Sequence, residues 1–481
     1  MKDRVIGREK EWQRLEEFMQ AHSAQLIEVC GRLRVGKTFL IEEFFNRKFA
    51  FRLTGVHGRS MKVQLGNFIA EYNRRTGEQK AAPKNWQQAF ELLRGYLSEA
   101  APDGRKVVFI DEMPWLDTMR SGFTGAFEWF WNDWAYAQDG LVFVACGSAA
   151  LWMISHFDAN RGGLFSRQTC RLYLEPFTLS ETGKFLKHRN ISWSRCSIAE
   201  AYMIMGGIPF YLNLLNGSMS LSQNIDNIFF RKNGELHDEF SRLYQTLFSN
   251  SDAYIRVAET LSEKTGGMTR QELQEKSGIG AGGDLSEIIR NLVTSGFVRV
   301  SAFYKKKKKD ALYQLSDYYT AFYFRYIKDH YGRDEHFWSN AIDSPARRSW
   351  AGLAFGQLCK DHIRQIRQIR QKLGISGVLT EEYVWYTKGD EELGTKGAQI
   401  DLVLERRDMV INLCEMKYSI NVYAIDRDYD AVLRNKIDSF RRETGTRCSL
   451  QLTMITTYGL TKGKYSNLIQ NQVTLDDLFA S

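Results

Sequence analysis

Two glycines, a lysine and a threonine set the first chemistry of this chain. Gly31-Arg32-Leu33-Arg34-Val35-Gly36-Lys37-Thr38 fits G-x-x-x-x-G-K-[ST] at every fixed position. An apolar run, QLIEVC, precedes it and a helical run, FLIEEFF, follows it, which is the setting the pattern needs. Glycines let the backbone curl round a phosphate, and successive N–H groups at a helix start then face the anion. Lys37 reaches the β- and γ-phosphates, and the Thr38 hydroxyl ligates Mg²⁺. Gly31, Arg34, Val35, Gly36, Lys37, Thr38 and Phe39 are therefore the candidate nucleotide-binding residues, with ATP and Mg²⁺ as the expected ligands.

A second apolar run, Val107–Ile110, ends in Asp111-Glu112. Open parallel sheets bind ligands at the C-terminal ends of their strands. Asp111 is expected to hold Mg²⁺ through water, and Glu112 to polarise the attacking water. The pair points to hydrolysis rather than binding alone. A third run, Leu141–Cys146, ends in Gly147-Ser148. Ser148 is either a sensor of the γ-phosphate or the water, or the N-cap of the next helix. In FSRQTCRLYLEPF, Arg167 and Arg171 are either γ-phosphate sensors or surface charges. Lys37, Glu112, Ser148 and Arg167 make up the candidate catalytic set.

The third chemistry lies near the other end. Gln399–Glu405 alternates as a strand, Arg406–Asp408 reads as a turn, and Met409–Lys417 reads as a second strand. A period of two places Glu415 and Lys417 on one face. Pairing across the turn brings Asp401 opposite Cys414, beside Glu415. Two carboxylates and a lysine so placed are what Mg²⁺-dependent phosphodiester cleavage needs, with Asp401 and Glu415 on the ion and Lys417 orienting water.

These groups need elements to hold them. A chain of 481 residues is about three or four domains. Its 43% hydrophobic and 25% charged residues exclude disorder as the default. No run approaches ~20 uninterrupted apolar residues, and the opening lacks the apolar core of a signal peptide. The 7 cysteines form no CxxC pair, which fits reduced thiols and a cytoplasmic protein. A net charge of +8 is mild at this length and permits nucleic-acid binding without arguing for it.

Residues 1–175 alternate β-rich runs (AQLIEVC, KVVFIDE, GLVFVACG, QTCRLYL) with helical patterns, so a mostly parallel α/β sheet is expected. Residues 176–245 read as helices broken at GGIPF. Residues 246–330 read as helices followed by two aromatic strands. Within them, Thr269 is the N-cap of a helix whose Leu273 faces inward, and Gly278–Gly283 make the turn. A second helix starts at Asp284 or Ser286 with the stripe Leu285, Ile288, Ile289, Leu292 and Val293, and Gly296 stops it. FVRVSAFY and ALYQLSD flank Lys305–Lys309, which is either a solvated turn or a phosphate-contacting tip. Residues 335–481 return to mixed α/β. The echo IRQIRQ between Ile363 and Gln371 reads as one basic helix face.

IGRE (Ile6–Glu9), GRLRVGKT, VVFIDE, GSAALW and RLYLEPF together resemble the AAA/STAND-type P-loop ATPases of archaea and bacteria. The resemblance implies that Ile6 and Arg8 lie near the adenine. It also implies that Gly206-Gly207-Ile208-Pro209 is the lid element whose proline, Pro209, packs by the base. MTRQELQEKSGIGAGGDLSEIIRNLVTSGFVRV resembles a winged helix-turn-helix, a module that contacts DNA or packs as a lid; Arg290 is the main basic residue of its second helix. WAGLAFGQLC, the D…ExK hairpin and VTLDDLF resemble the PD-(D/E)XK nuclease fold. That family often carries an acid after the helix phenylalanine; here Phe355 is followed by Gly356. The expected architecture is a P-loop sheet (1–175), a helical lid (176–245), a winged helix-turn-helix (246–330) and a restriction-endonuclease-like domain (335–481). The function so implied is an Mg²⁺-dependent ATP switch coupled to a DNA-associated winged helix and a nuclease-like domain short of one acid. An ATP-licensed endonuclease and a regulatory ATP-binding interaction protein are the alternatives. Expected partners are ATP, DNA, and a protein partner or second copy, without a membrane.

Overall fold

The computed structural model describes residues 4–99, 105–157, 167–280, 283–307, 310–363, 371–390 and 395–480. Ala281, Gly282, Lys308, Lys309 and residues 364–370 of the basic echo lie outside that set. The chain forms two units. The first holds Met1–Pro176, Ile208–Phe210 and Gln245–Ser249, and the second Phe177–Gly207, Tyr211–Tyr244 and Asn250–Ser481.

Five strands build the sheet of the first unit: β1 (Gln25–Gly31), β2 (Phe51–Thr54), β3 (Lys106–Asp111), β4 (Leu141–Gly147) and β5 (Cys170–Leu174). They run parallel in the order β2-β3-β4-β1-β5. β1 and β4 are buried along their whole length. A strand covered on both faces reads as an unbroken apolar run, so both were visible in the sequence. β2 was not, because FRLT is four residues long and carries Arg52. An aromatic cluster including Phe68, Trp86, Phe90, Phe123, Phe127 and Phe130 packs against the sheet; Trp86 and Phe123 meet edge to face at 5.0 Å. The expected α/β class holds here.

The second unit opens with the helices Leu179–His188 and Arg195–Met205. Thr178 and Glu181 form a reciprocal capping box at the first. The chain then breaks where GGIPF stands. A Cβ on Gly207 would lie 1.9 Å from the Phe177 carbonyl oxygen, so only glycine permits this approach. Further on, Thr269 caps the helix Arg270–Ser277 with Glu272, and Leu273 is buried. The next helix, Gly283–Thr294, buries Leu285, Ile288, Ile289 and Leu292, while Val293 is half-buried. β6 (Val298–Ser301) and β7 (Leu312–Leu315) form an antiparallel pair.

The remaining five strands, β8 (Thr380–Asp390), β9 (Thr395–Arg406), β10 (Val410–Lys417), β11 (Ser449–Thr456) and β12 (Asn471–Thr474), form a separate mixed sheet in the order β12-β11-β10-β9-β8. β8, β9 and β10 are antiparallel neighbours; β10, β11 and β12 are parallel. A parallel β10–β11 step needs a crossover, and the helix Arg427–Thr444 supplies it. The helix Pro345–Ile363 packs on β10. FVRVSAFY does not continue as one hairpin arm. After Ser301 the chain turns to β8, where the Val384 N–H donates to Ala302 and the Tyr304 N–H donates to Val384, at 2.9 and 3.0 Å. Phe303 and Tyr304 are buried with Trp385 and Phe440. Apolar Phe303 gains more from this core than from a free hairpin tip. Lys305, Lys306 and Lys307 stay exposed just beyond.

Candidate functional site

The phosphate loop lies between the end of β1 and the helix Lys37–Phe44. Gly36 is left-handed, with φ 90°, and no side chain caps the helix start, so its first N–H groups face outward. Lys37 is buried, and its Nζ donates to the carbonyls of Gly31 and Arg32 at 3.1 and 2.8 Å, spanning the loop. Val35 is buried, whereas Phe39 is exposed on the first turn. Arg8 is buried, and its Nη2 donates to the Val35 carbonyl at 3.0 Å. It therefore braces the loop backbone, while Ile6 is half-buried nearby in sequence. The Arg34 guanidinium lies 4.0 Å from the centre of the Phe210 ring, so the segment holding Pro209 sits beside the loop.

The Thr38 hydroxyl donates to Asp111 Oδ2 at 2.9 Å. Burial pushes the Asp111 carboxyl up, Glu112 adds to this, and the bonds from Thr38 and Cys146 oppose it. A buried carboxylate beside a hydroxyl and a phosphate-facing helix end fits a divalent cation, whose charge would offset that desolvation. Glu112 takes a left-handed backbone, φ 48°, at the end of β3. Both the Ser148 N–H, at 3.1 Å, and the Ser148 hydroxyl donate to its carboxylate. Ser148 thus holds Glu112, a partner the sequence did not indicate because the two meet only across β3 and β4. Arg167 is exposed before β5 and makes no hydrogen bond or ion pair among the described residues. Arg171 lies 3.5 Å from buried Glu28 of β1. The structure brings Lys37, Thr38, Asp111, Glu112 and Ser148 together, and among the described residues Arg167 makes no hydrogen bond or ion pair with any of them.

The second unit contains a cavity of about 650 Å³ lined by Gln399 and Asp401 of β9, Glu415 and Lys417 of β10, and Gly356 and Lys360 of the helix Pro345–Ile363. Glu415 and Lys417 share a face, as the period of two requires. The register differs by one from that expected: Cys414 pairs with Leu402, not Asp401. β9 runs on to Arg406, and the turn is Arg407–Met409, closed by left-handed Met409 (φ 64°). Asp401 instead turns its Oδ2 to the Met416 N–H at 2.9 Å. Lys417 does not sit between the carboxylates; its Nζ lies 4.5 Å from the centre of the Tyr429 ring. The lysine on Glu415 is Lys436, at 2.6 Å from Oε2, and the Tyr429 hydroxyl donates to the same oxygen at 3.3 Å. Lys436 comes from the crossover helix, which no strand pattern in the sequence places there.

Burial, then Asp401, push Glu415 up to about 7, against the pull of Lys436. Glu415 Oε1 is buried with no hydrogen-bond partner among the described residues. Burial presses the Lys360 ammonium below the usual lysine range, and Asp401 opposes this. Among the described residues, a Cβ on Gly356 would meet only Met416 Sδ, at 4.0 Å. There is room for a side chain there, and the sequence provides none. Among the described residues, no group of three or more His, Cys, Asp or Glu side chains is placed to hold a metal ion.

Residues 20–154 match a family described as an AAA domain. An uncharacterized protein of Methanocaldococcus jannaschii is 24% identical over 325 residues, covering 67% of this chain and 68% of that protein. Among solved structures, the chain is similar to a Walker-type ATPase of Pyrococcus abyssi (TM-score 0.45, 16% identity, 67% of this chain and 96% of that one). It is also similar to the ORC2 protein of Aeropyrum pernix in its ADPNP-ADP complexes (TM-score 0.41, 12% identity, 72% and 95%). A STAND protein with a tetratricopeptide repeat sensor from Pyrococcus horikoshii is similar at TM-score 0.30 and 15% identity, over 76% of this chain and 50% of that one. The AAA-domain match lies within the first unit, which holds the parallel sheet and the phosphate loop. Among the described residues, no helix is long and apolar enough to cross a membrane.

Proposed function

We propose that this protein is an ATP-driven switch that binds and hydrolyses ATP with Mg²⁺ and acts on a DNA-associated winged helix and a nuclease-like C-terminal domain. The observation that carries it is the Thr38–Asp111 hydrogen bond of 2.9 Å. It joins the loop hydroxyl and the strand-end carboxylate that together would hold the cation. Mg²⁺ bound there would draw charge from the β- and γ-phosphates as the bond between them breaks. The chain does the rest. Backbone N–H groups and Lys37 hold the phosphates, Arg8 fixes the loop through Val35, and Glu112, steadied by Ser148, takes the proton of the attacking water.

The helix pair, the first helix capped by Thr269, and the antiparallel β6–β7 pair support the winged-helix reading. The shared cavity of Asp401, Glu415 and Lys417 supports the nuclease-like one. In the second, Gly356 adds no ligand and Lys436 already occupies Glu415, so cleavage is not the main activity.

The test is turnover, measured with and without DNA. Lys37→Ala is expected to abolish nucleotide binding or hydrolysis. Glu112→Gln is expected to keep binding and lower turnover at least about a hundredfold, because the base goes and the cradle stays. Parental turnover in Glu112→Gln would remove Glu112 from the role of base.

A further inference from the structure

The cavity of the second unit has the size of a small-ligand site, about 650 Å³. Among the described residues lining it, Arg299, Arg325, Arg348, Lys360, Lys417 and Lys436 are cationic, against three carboxylates. Two of those carboxylates are already engaged by the protein itself. Asp401 accepts from the Met416 N–H, and Glu415 accepts from Lys436 and Tyr429. Of the cations, Arg299 is taken by Asp361 and Lys436 by Glu415. Lys360 makes no hydrogen bond or ion pair among the described residues. It stands one helical turn beyond Gly356 on the same helix, and both line the cavity. The helix thus offers a positive charge, and no acid, to the wall where a divalent cation would need another carboxylate. Trp350, Leu353 and Tyr318 give the same cavity an apolar wall.

We propose that this cavity binds the phosphate group of a nucleotide-sized phosphate ester without a divalent cation, with Lys360 supplying the charge that meets the phosphate. A half-buried ammonium with no hydrogen bond or ion pair of its own is costly even with Asp401 in its surroundings, and an incoming phosphate supplies a direct partner. The apolar wall accepts the remainder of the ester. The ester is either free or the end of a nucleic-acid strand; the phosphate chemistry is common to both. The proposal does not depend on ATP hydrolysis, so turnover and cavity binding succeed or fail separately.

The test uses the full chain carrying Lys37→Ala, which silences the phosphate loop. Thymidine 5′-monophosphate and a 5′-phosphorylated thymidine oligonucleotide are titrated calorimetrically in EDTA. Saturable binding is expected, weakened about tenfold or more when Lys360→Met is added. Methionine keeps the length of the side chain and removes the charge. In the otherwise parental chain, Lys360→Met is expected to leave Mg²⁺-ATP turnover unchanged, which checks the fold. Arg348→Gln at the exposed rim is a second variant and is expected to weaken binding about threefold while flattening its salt dependence. Tighter binding of the oligonucleotide assigns the strand end, and equal binding assigns the free ester; either supports the proposal. No binding in EDTA, binding that appears only with Mg²⁺, or parental affinity in Lys360→Met would overturn it.

Discussion

Burial and the charge of Asp401 push Glu415 up to about 7, from an ordinary value of 4.5. An acid whose folded value is raised holds its proton more tightly in the folded chain than in the unfolded one. Its contribution to stability is therefore best below about 4.5, falls as pH rises from there to about 7, and is flat above. For this shift the loss is on the order of 3 kcal/mol across that window. Glu415→Gln has no proton to lose and mimics the neutral form. The variant is expected to melt near the parent at pH 5 and above it at pH 8, with calorimetry of the full chain as the measurement. Parallel pH profiles for the two proteins would show that Glu415 titrates normally. Residue-scale chemistry of this kind was only partly legible. Glu415 and Lys417 could be named because a strand fixes their common face. Lys436 and Lys360 could not, because they come from helices whose docking no local pattern records. Ser148 stands out by its place at a strand end, yet its hold on Glu112 depends on neighbouring strands.

Elements were legible where the local code is strong. The P-loop needed a strand before it and a helix after it, and both are present. Thr269 was legible as an N-cap, and the structure adds Glu272, which completes its capping box. The misses share a cause. β2 is too short to show a period, and the β9–β10 register moved by one because left-handed Met409 closed a turn with no glycine to advertise it. The break at Gly206-Gly207-Ile208-Pro209 was visible, but its reason was not. Gly207 is pressed on the Phe177 backbone, and the Phe177 N–H donates to the Gly207 carbonyl at 2.6 Å. Gly207→Ala must push the two segments apart, so a destabilisation of about 2–3 kcal/mol is expected. The measurement is thermal unfolding followed with Mg²⁺-ATP turnover, since the same break leads into Pro209 and Phe210 beside the phosphate loop. An alanine variant that melts with the parent would mean that the close approach relaxes at little cost.

At the scale of the whole molecule, the two sheets carry different chemistry: a phosphate loop and acid pair in one, a cation-lined cavity in the other. The place of the two sheets in the chain followed from the sequence because each takes its strands from one stretch, β1 to β5 within residues 25–174 and β8 to β12 within residues 380–474. What each part touches did not, because contact depends on folding partners far away in the chain. The lysine run shows the distinction. Sequence alone sets Lys305–Lys309 at a turn between two strands, but the residues just before it are drawn into the β8 edge, and Lys305 Nζ donates to the Thr444 carbonyl at 2.9 Å. Lys306 lies 4.4 Å from the centre of the Phe303 ring. The run is thus anchored at its start while Lys305, Lys306 and Lys307 remain exposed to solvent. Anchored lysines lose less freedom on meeting a phosphate than lysines on a loose loop. If DNA is a partner, neutralising all five lysines to glutamine is expected to weaken binding about equally for all sequences, because phosphate contacts carry no base information. Each phosphate contact contributes about 0.9 to the slope of log affinity against log salt, so the slope should flatten by about 2 or more. The measurement is a salt titration of duplex binding by the parent and the neutralised variant. An unchanged slope with unchanged affinity would return the run to a solvated turn whose work is to seat Phe303 and Tyr304 against the second sheet.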